Sequence, residues 1–95
     1  MKIPNKIKVS GQVYKITISD SLAVRGKDTL GTTNVYLNNQ IWLDSRQSPT
    51  QLESTFIHEI LEIIIALNKL DINEQGICIL ETNLYQVLKD NKLLK

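Results

Sequence analysis

Apolar and polar positions alternate along the first half of the chain and recur at helical spacing along the second. In KIKVSGQVYKITIS, Ile7 and Val9 precede Ser10-Gly11, and Val13, Ile16 and Ile18 follow, which is the pattern of a β-hairpin. The polar stretch SDSLAVRGKDT, with Gly26, reads as a loop with room for one helical turn. LGTTNVYL and QIWLD flank Asn38-Asn39, and asparagine tolerates positive φ, so a second hairpin with a tight turn is expected. Trp42, in QIWLD, is expected to be a sheet residue packed on a helix.

Ser48-Pro49 followed by Gln51 supplies a cap, a proline at the first helical position and a capping-box partner. The spacing predicts a helix over 49–68, broken at NKLDIN, and a second over 74–90 that Asp71 or Asn73 can cap. Gly76 lies inside the second helix at a cost of about 1 kcal/mol relative to alanine, and leaves room for close packing at its first turn. The order β-β-β-β-α-α predicts one α+β domain over residues 1–95, with a short antiparallel sheet of about four strands, over 5–44, followed by two packed helices.

Charge narrows the partners. The net charge of the 95 residues is +1, without a block of like sign, so the basic stripe of a nucleic-acid binder is missing and none is expected as a partner. The lysines of MKIPNKIKVS are not followed by the apolar run of a signal peptide. The longest apolar run, IIIAL, falls far short of the roughly 20 residues of a membrane span. Cys78 is the single cysteine and cannot close an internal disulfide. A soluble cytoplasmic protein with no membrane partner is the expectation.

The chemistry concentrates in FIHEILEIII. Projected at about 100° per residue, Gln51, Thr55, His58, Glu59 and Glu62 share one polar stripe of the first helix. Leu52, Phe56, Ile57, Ile60, Leu61, Ile63, Ile64, Ile65 and Leu67 fill the rest, an arc of roughly 220° where a surface helix needs only about 100°. Two readings stay open from spacing alone. One is a solvated face in which His58 and Glu62 form an i,i+4 pair. The other is a metal or acid–base site, to which the stripe lends itself by holding the chain's one histidine and none of its eleven lysines and arginines.

STFIHEILEII and the later LYQVLKDN (84–91) resemble the motifs of small phage- and prophage-encoded zincin-like metallopeptidases. LYQVLKDN is the more specific of the two, and with the order of elements the resemblance covers about residues 10–91. It implies a minimal zincin-like fold, related more distantly to the repressor-cleaving immunity peptidases of mobile elements. It also implies a divalent metal, zinc by family, and hydrolysis of a peptide bond in a protein substrate whose identity the sequence leaves unknown. By that likeness His58 is the first metal ligand, Glu59 the general base that activates water, and Glu62 the second ligand. Glu74, at the start of the second helix, takes the third place.

The residues themselves leave the third ligand open between Glu74 and Glu81, which border the same helix face. The two are separated by about 10 Å along the axis, too far for both to hold one ion closely. Glu74 can equally be the capping-box partner of Asp71. Tyr85 is expected to be core with its hydroxyl at the rim, where it could stabilise an oxyanion, and Cys78 is expected to be a small buried hydrophobe. The QIWLD strand could border the cleft and take up substrate by edge addition. Glu62 departs from HExxH, where a second histidine would stand. Two carboxylates nearly neutralise a divalent ion, weaken its Lewis acidity, and shift preference from zinc toward manganese or iron(II). The alternative for a chain with this departure is a catalytically inactive interaction module that keeps the fold.

Overall fold

The computed structural model describes residues 1–20, 31–34 and 39–94. Four strands come first: β1 (Lys6–Val9), β2 (Gln12–Ser19), β3 (Gly31–Asn34) and β4 (Gln40–Asp44). Two helices follow, α1 (Pro49–Asn68) and α2 (Glu74–Asp90). Among the described residues no helix is long and apolar enough to cross a membrane. Most of the segment expected to be a loop, 21–30, lies outside the described residues, as does Asn38 of the second expected turn.

Ser10 and Gly11 close the first hairpin with φ of 50° and 81°, the left-handed pair that a tight two-residue turn requires. That turn sets the register Val9↔Gln12 and Ile7↔Tyr14. Directly opposed residues share a face, so Tyr14 and Ile16 point inward while Val13 joins Lys8 on the other face and is 49% exposed. Asn39 adopts φ of 49° immediately before β4.

The sheet order is β1-β2-β4-β3, with β1–β2 and β3–β4 antiparallel but β2–β4 parallel. The fold is α+β, but its sheet is mixed rather than antiparallel. The chain leaves β2, passes to the outer position as β3, and returns as β4 between them. Alternation along one strand is blind to this, because it reports which face a side chain takes and not which neighbour the strand chooses.

The core forms between the sheet and α1. Tyr14, Ile16, Ile41 and Leu43 from the sheet meet Phe56 and Ile63 of α1, with Leu52, Ile60 and Leu67 packed against them. The junction that aims α1 is polar. Asp44, 5% exposed, accepts two bonds from the Arg46 side chain and one from its backbone N–H. The Gln47 side chain donates to the Asp44 carbonyl and accepts from Thr55.

Ser48 caps α1 by accepting from the Gln51 N–H at 3.2 Å, with Pro49 at the first position. Lys69 ends α1 in the left-handed conformation, and the Leu70 N–H closes onto the Ile65 carbonyl. Asn73, not Asp71, caps α2 by accepting from the Gly76 N–H at 2.9 Å. A Cβ on Gly76 would stand 2.8 Å from Cγ2 of Ile72, so the close packing expected there is real.

Ile63 is fully buried at the centre of this layer. Ile63→Ala should cost about 2–5 kcal/mol, the range for removing a branched side chain from a core that cannot collapse around the gap. Urea unfolding of the two proteins measures it, and a loss under about 1 kcal/mol would mean that α1 is not seated on the sheet as described.

Candidate metal centre

Helix α2 lies along α1 and covers the His58 stripe, which is therefore an inter-helix surface and not a solvated face. His58 has a 13% exposed side chain and is approached from three sides. Its Nε2 lies 3.2 Å from Oε1 of Glu62, one turn on in α1, and 2.9 Å from Oε1 of Glu74, at the first position of α2. Its Nδ1 lies 3.0 Å from Oε1 of Glu81. Ser54, one turn before His58, donates its hydroxyl to the other oxygen of Glu81.

Glu74 and Glu81 thus both reach the same histidine, through opposite ring nitrogens. Their two-turn separation, about 10 Å, is spanned by the ring itself. Because Asn73 supplies the cap, the Glu74 carboxylate is not needed as a partner of Asp71, and it turns toward α1.

Glu59 is 2% exposed, so it is not part of a wet stripe. One of its oxygens, a His58 ring nitrogen and a Glu62 oxygen lie within 4.8 Å of one another. A second set with the same spacing joins His58, Cys78 and Glu81. Cys78 is exposed, which corrects the expectation of a buried hydrophobe. Its thiol is pushed up by desolvation and then by the charges of Glu74, Glu81 and Glu62, so it keeps its proton.

The electrostatics are those of a cluster with too few cations. Burial works against a charged His58, yet the bond to Glu81 and the charges of Glu62, Glu59 and Glu74 outweigh it and raise the imidazole above its ordinary value. The Glu62 carboxyl is also raised, by burial first; His58 pulls the other way, while the charge and hydrogen bond of Glu74 add to the rise. Two carboxylates within 3.2 Å of one imidazole nitrogen form a donor set that a divalent cation fits, because an ion there would meet both negative charges and the ring lone pair.

Tyr85 stands elsewhere. Its hydroxyl donates to Oε1 of Glu53, and Lys89 lies 3.3 Å from the same oxygen. Oε2 of Glu53 lies 2.7 Å from the Met1 ammonium. Tyr85 is therefore corrected from a candidate at the metal to a partner of Glu53, since it sits one helical turn beyond Glu81 along α2. Trp42 lies on β4, which has β2 and β3 on its two sides, so QIWLD is not an edge and cannot take up a substrate strand. The outer strands are β1 and β3.

Motif and spacing do not single out Asp44, Glu53 or Ser54. Glu53 carries a signal in retrospect, because it is a carboxylate projecting into the apolar arc of α1, where a lone acid must find a partner when buried. Compared with known proteins, the chain matches no family model, no curated protein and no solved structure.

The Glu53 cluster generates a pH prediction. The Met1 ammonium first, and then the Tyr85 hydroxyl, hold its carboxyl down to about 2 from 4.5. A depressed folded value contributes stability that is present above the unfolded value and lost as pH falls through the folded one. Stability should therefore decline from about pH 5 toward pH 2, and Glu53→Gln should flatten part of that decline. The Asp44 carboxyl, also held at about 2, chiefly by Arg46, leaves the remainder. Urea midpoints across this range test it, and identical slopes in the two proteins would remove Glu53 from the account.

Proposed function

We propose that the chain is a small zincin-like metallopeptidase of phage type, in which His58, Glu62 and Glu74 hold a divalent ion and Glu59 serves as general base. The observation that carries the reading is the convergence of the Glu62 and Glu74 carboxylates on Nε2 of His58, at 3.2 and 2.9 Å. No lysine or arginine pairs with either carboxylate among the described residues. The chemistry such an ion supplies is Lewis acidity toward a peptide carbonyl and a lowered pKa for water.

The chain's own residues would then do the following. His58 and Glu62, one turn apart on α1, present their donors on one helix face, and Glu74 closes the set from α2. Glu74, at 67% exposure, forms the open rim through which a substrate carbonyl enters. Glu59, buried beside His58, takes a proton from the attacking water and delivers it to the leaving amine. The substrate class is a protein or peptide.

One observation favours a second reading, an inactive module that keeps the fold. The cluster is satisfied without an ion when His58 is protonated, because each ring nitrogen then has a carboxylate within 3.0 Å. Glu59 at 2% exposure also has poor access to bulk water.

Elemental analysis of untagged protein after expression in mixed-metal medium separates the two readings. The peptidase reading expects one divalent ion per chain, lost in His58→Ala and kept in Glu59→Gln. Peptide hydrolysis in Glu59→Gln should fall by about 10²–10⁴-fold, the usual worth of a positioned base. Equal metal loss in both variants would reverse the assigned roles, and an empty wild-type protein would leave the inactive module.

Glu62→His isolates the departure from HExxH. Imidazole is the better zinc ligand at this position, so zinc should bind tighter by about tenfold, or ~1.4 kcal/mol. Competition against a zinc chelator reads the difference. Unchanged affinity would exclude Glu62 as a ligand.

A further inference from the structure

We propose that the outer edge of β1 is a docking strand for an extended segment of a partner protein in which acidic and apolar residues alternate. The proposal is independent of the metallopeptidase reading.

β1 stands at one end of the sheet order and has β2 as its one neighbour. An antiparallel ladder alternates between pairs that exchange backbone hydrogen bonds and pairs that do not. The Ile16 N–H donates to the Asn5 carbonyl at 2.8 Å, and the two-residue turn closes on Val9 and Gln12. Asn5, Ile7 and Val9 therefore turn their peptide groups toward β2. Lys6 and Lys8 lie between them, so their N–H and C=O groups point outward, where no described strand pairs with them. A strand laid along this edge would bond to both residues.

The side chains decide what that strand must be. On the face turned away from α1, Lys6 is directly opposite Lys15 in a pair without backbone bonds, the kind in which side chains come closest. Lys8 is opposite Val13 on the same face. All three lysines are exposed, and among the described residues none has an ion-pair partner. Like charges so placed destabilise the free sheet. Acidic side chains two residues apart on an added strand would stand beside Lys6 and Lys8 and offset that repulsion. On the other face, Ile7 and Val9 are half-buried at the margin of the core, so the intervening residues of the added strand would be apolar.

Lysine on an outer strand commonly blocks edge-to-edge pairing of like copies, and two β1 strands side by side would repel. Lys15, however, lies on the inner strand β2, where no edge needs protection. β3, the other outer strand, carries no charge over Gly31–Asn34.

Two peptides of one composition, titrated at low salt into nitrogen-15-labelled protein, test the proposal. Glutamate and valine alternate in the first and are grouped into blocks in the second. The alternating peptide should bind tighter by about tenfold, the combined worth of two favourable cross-strand pairs. In the free protein the Lys6 and Lys8 amides should exchange with solvent rapidly and the Ile7 amide slowly, and the alternating peptide should slow exchange at Lys6 and Lys8. Lys6→Glu should raise the urea midpoint of the free protein by making an attractive pair with Lys15, yet weaken the alternating peptide by about tenfold. Lys8→Pro is tolerated on an edge because the lost N–H is the outward one. It should weaken the peptide more than Lys8→Gln, which removes the charge alone. Circular dichroism identifies any variant that fails to fold, and Lys6→Glu and Lys8→Gln then carry the comparison.

Equal binding of the two peptides, no binding of either, or binding that leaves the Lys6 and Lys8 amides in rapid exchange overturns the proposal. A lower urea midpoint in Lys6→Glu removes the like-charge premise and overturns it as well. So does an oligothymidylate that binds more tightly than the alternating peptide, which would assign the lysines to phosphate groups.

Discussion

Helix α2 is held in place by polar side chains. Ile77 is its one buried residue, while Leu80, Leu84 and Val87 are each more than 40% exposed. The apolar burial that normally fixes a helix is therefore small here. Two groups of hydrogen bonds and ion pairs take its place. Near the C-terminal end of α2, Tyr85 and Lys89 hold Glu53. Toward the N-terminal end, Glu74 and Glu81 hold His58, and Glu81 also holds Ser54.

Both groups need α1 to be seated first. Phe56 and Ile63 anchor one side of α1 to Tyr14, Ile16, Ile41 and Leu43, and the Asp44–Arg46–Gln47 junction sets the direction in which it leaves β4. With that side committed to the sheet, Glu53, Ser54 and His58 face α2. The site is thus not an addition to a finished fold. Glu74, which would hold an ion, also helps to dock the second helix on His58, which would couple metal binding to helix packing.

This coupling also explains the charge pattern. Four glutamates around one histidine would repel each other in the absence of a cation. The fold tolerates them by raising the proton affinity of His58 and of Glu62. A divalent ion would neutralise the same charge while leaving the Glu81 contact intact, because that contact lies on the opposite nitrogen.

Signals local in the chain set the secondary-structure elements. The caps at Ser48 and Asn73, the Ser10-Gly11 turn and the apolar spacing each act within a few residues, and the helices begin and end where those signals stand. The sequence also placed His58, Glu59 and Glu62 together, since one helix turn sets their spacing whatever surrounds it. Tertiary structure decided the rest. Strand pairing across a long connection made the β2–β4 contact parallel and took QIWLD away from the edge. The packing of α2 on α1 decided that Glu74 and Glu81 meet opposite nitrogens and that Tyr85 turns to Glu53. The burial of Glu59 depended on the same packing. Each of these is a contact between residues distant in sequence, formed by long side chains whose reach spans several ångströms. Periodicity ranks the faces of a helix but does not specify which neighbouring group a flexible side chain will find there.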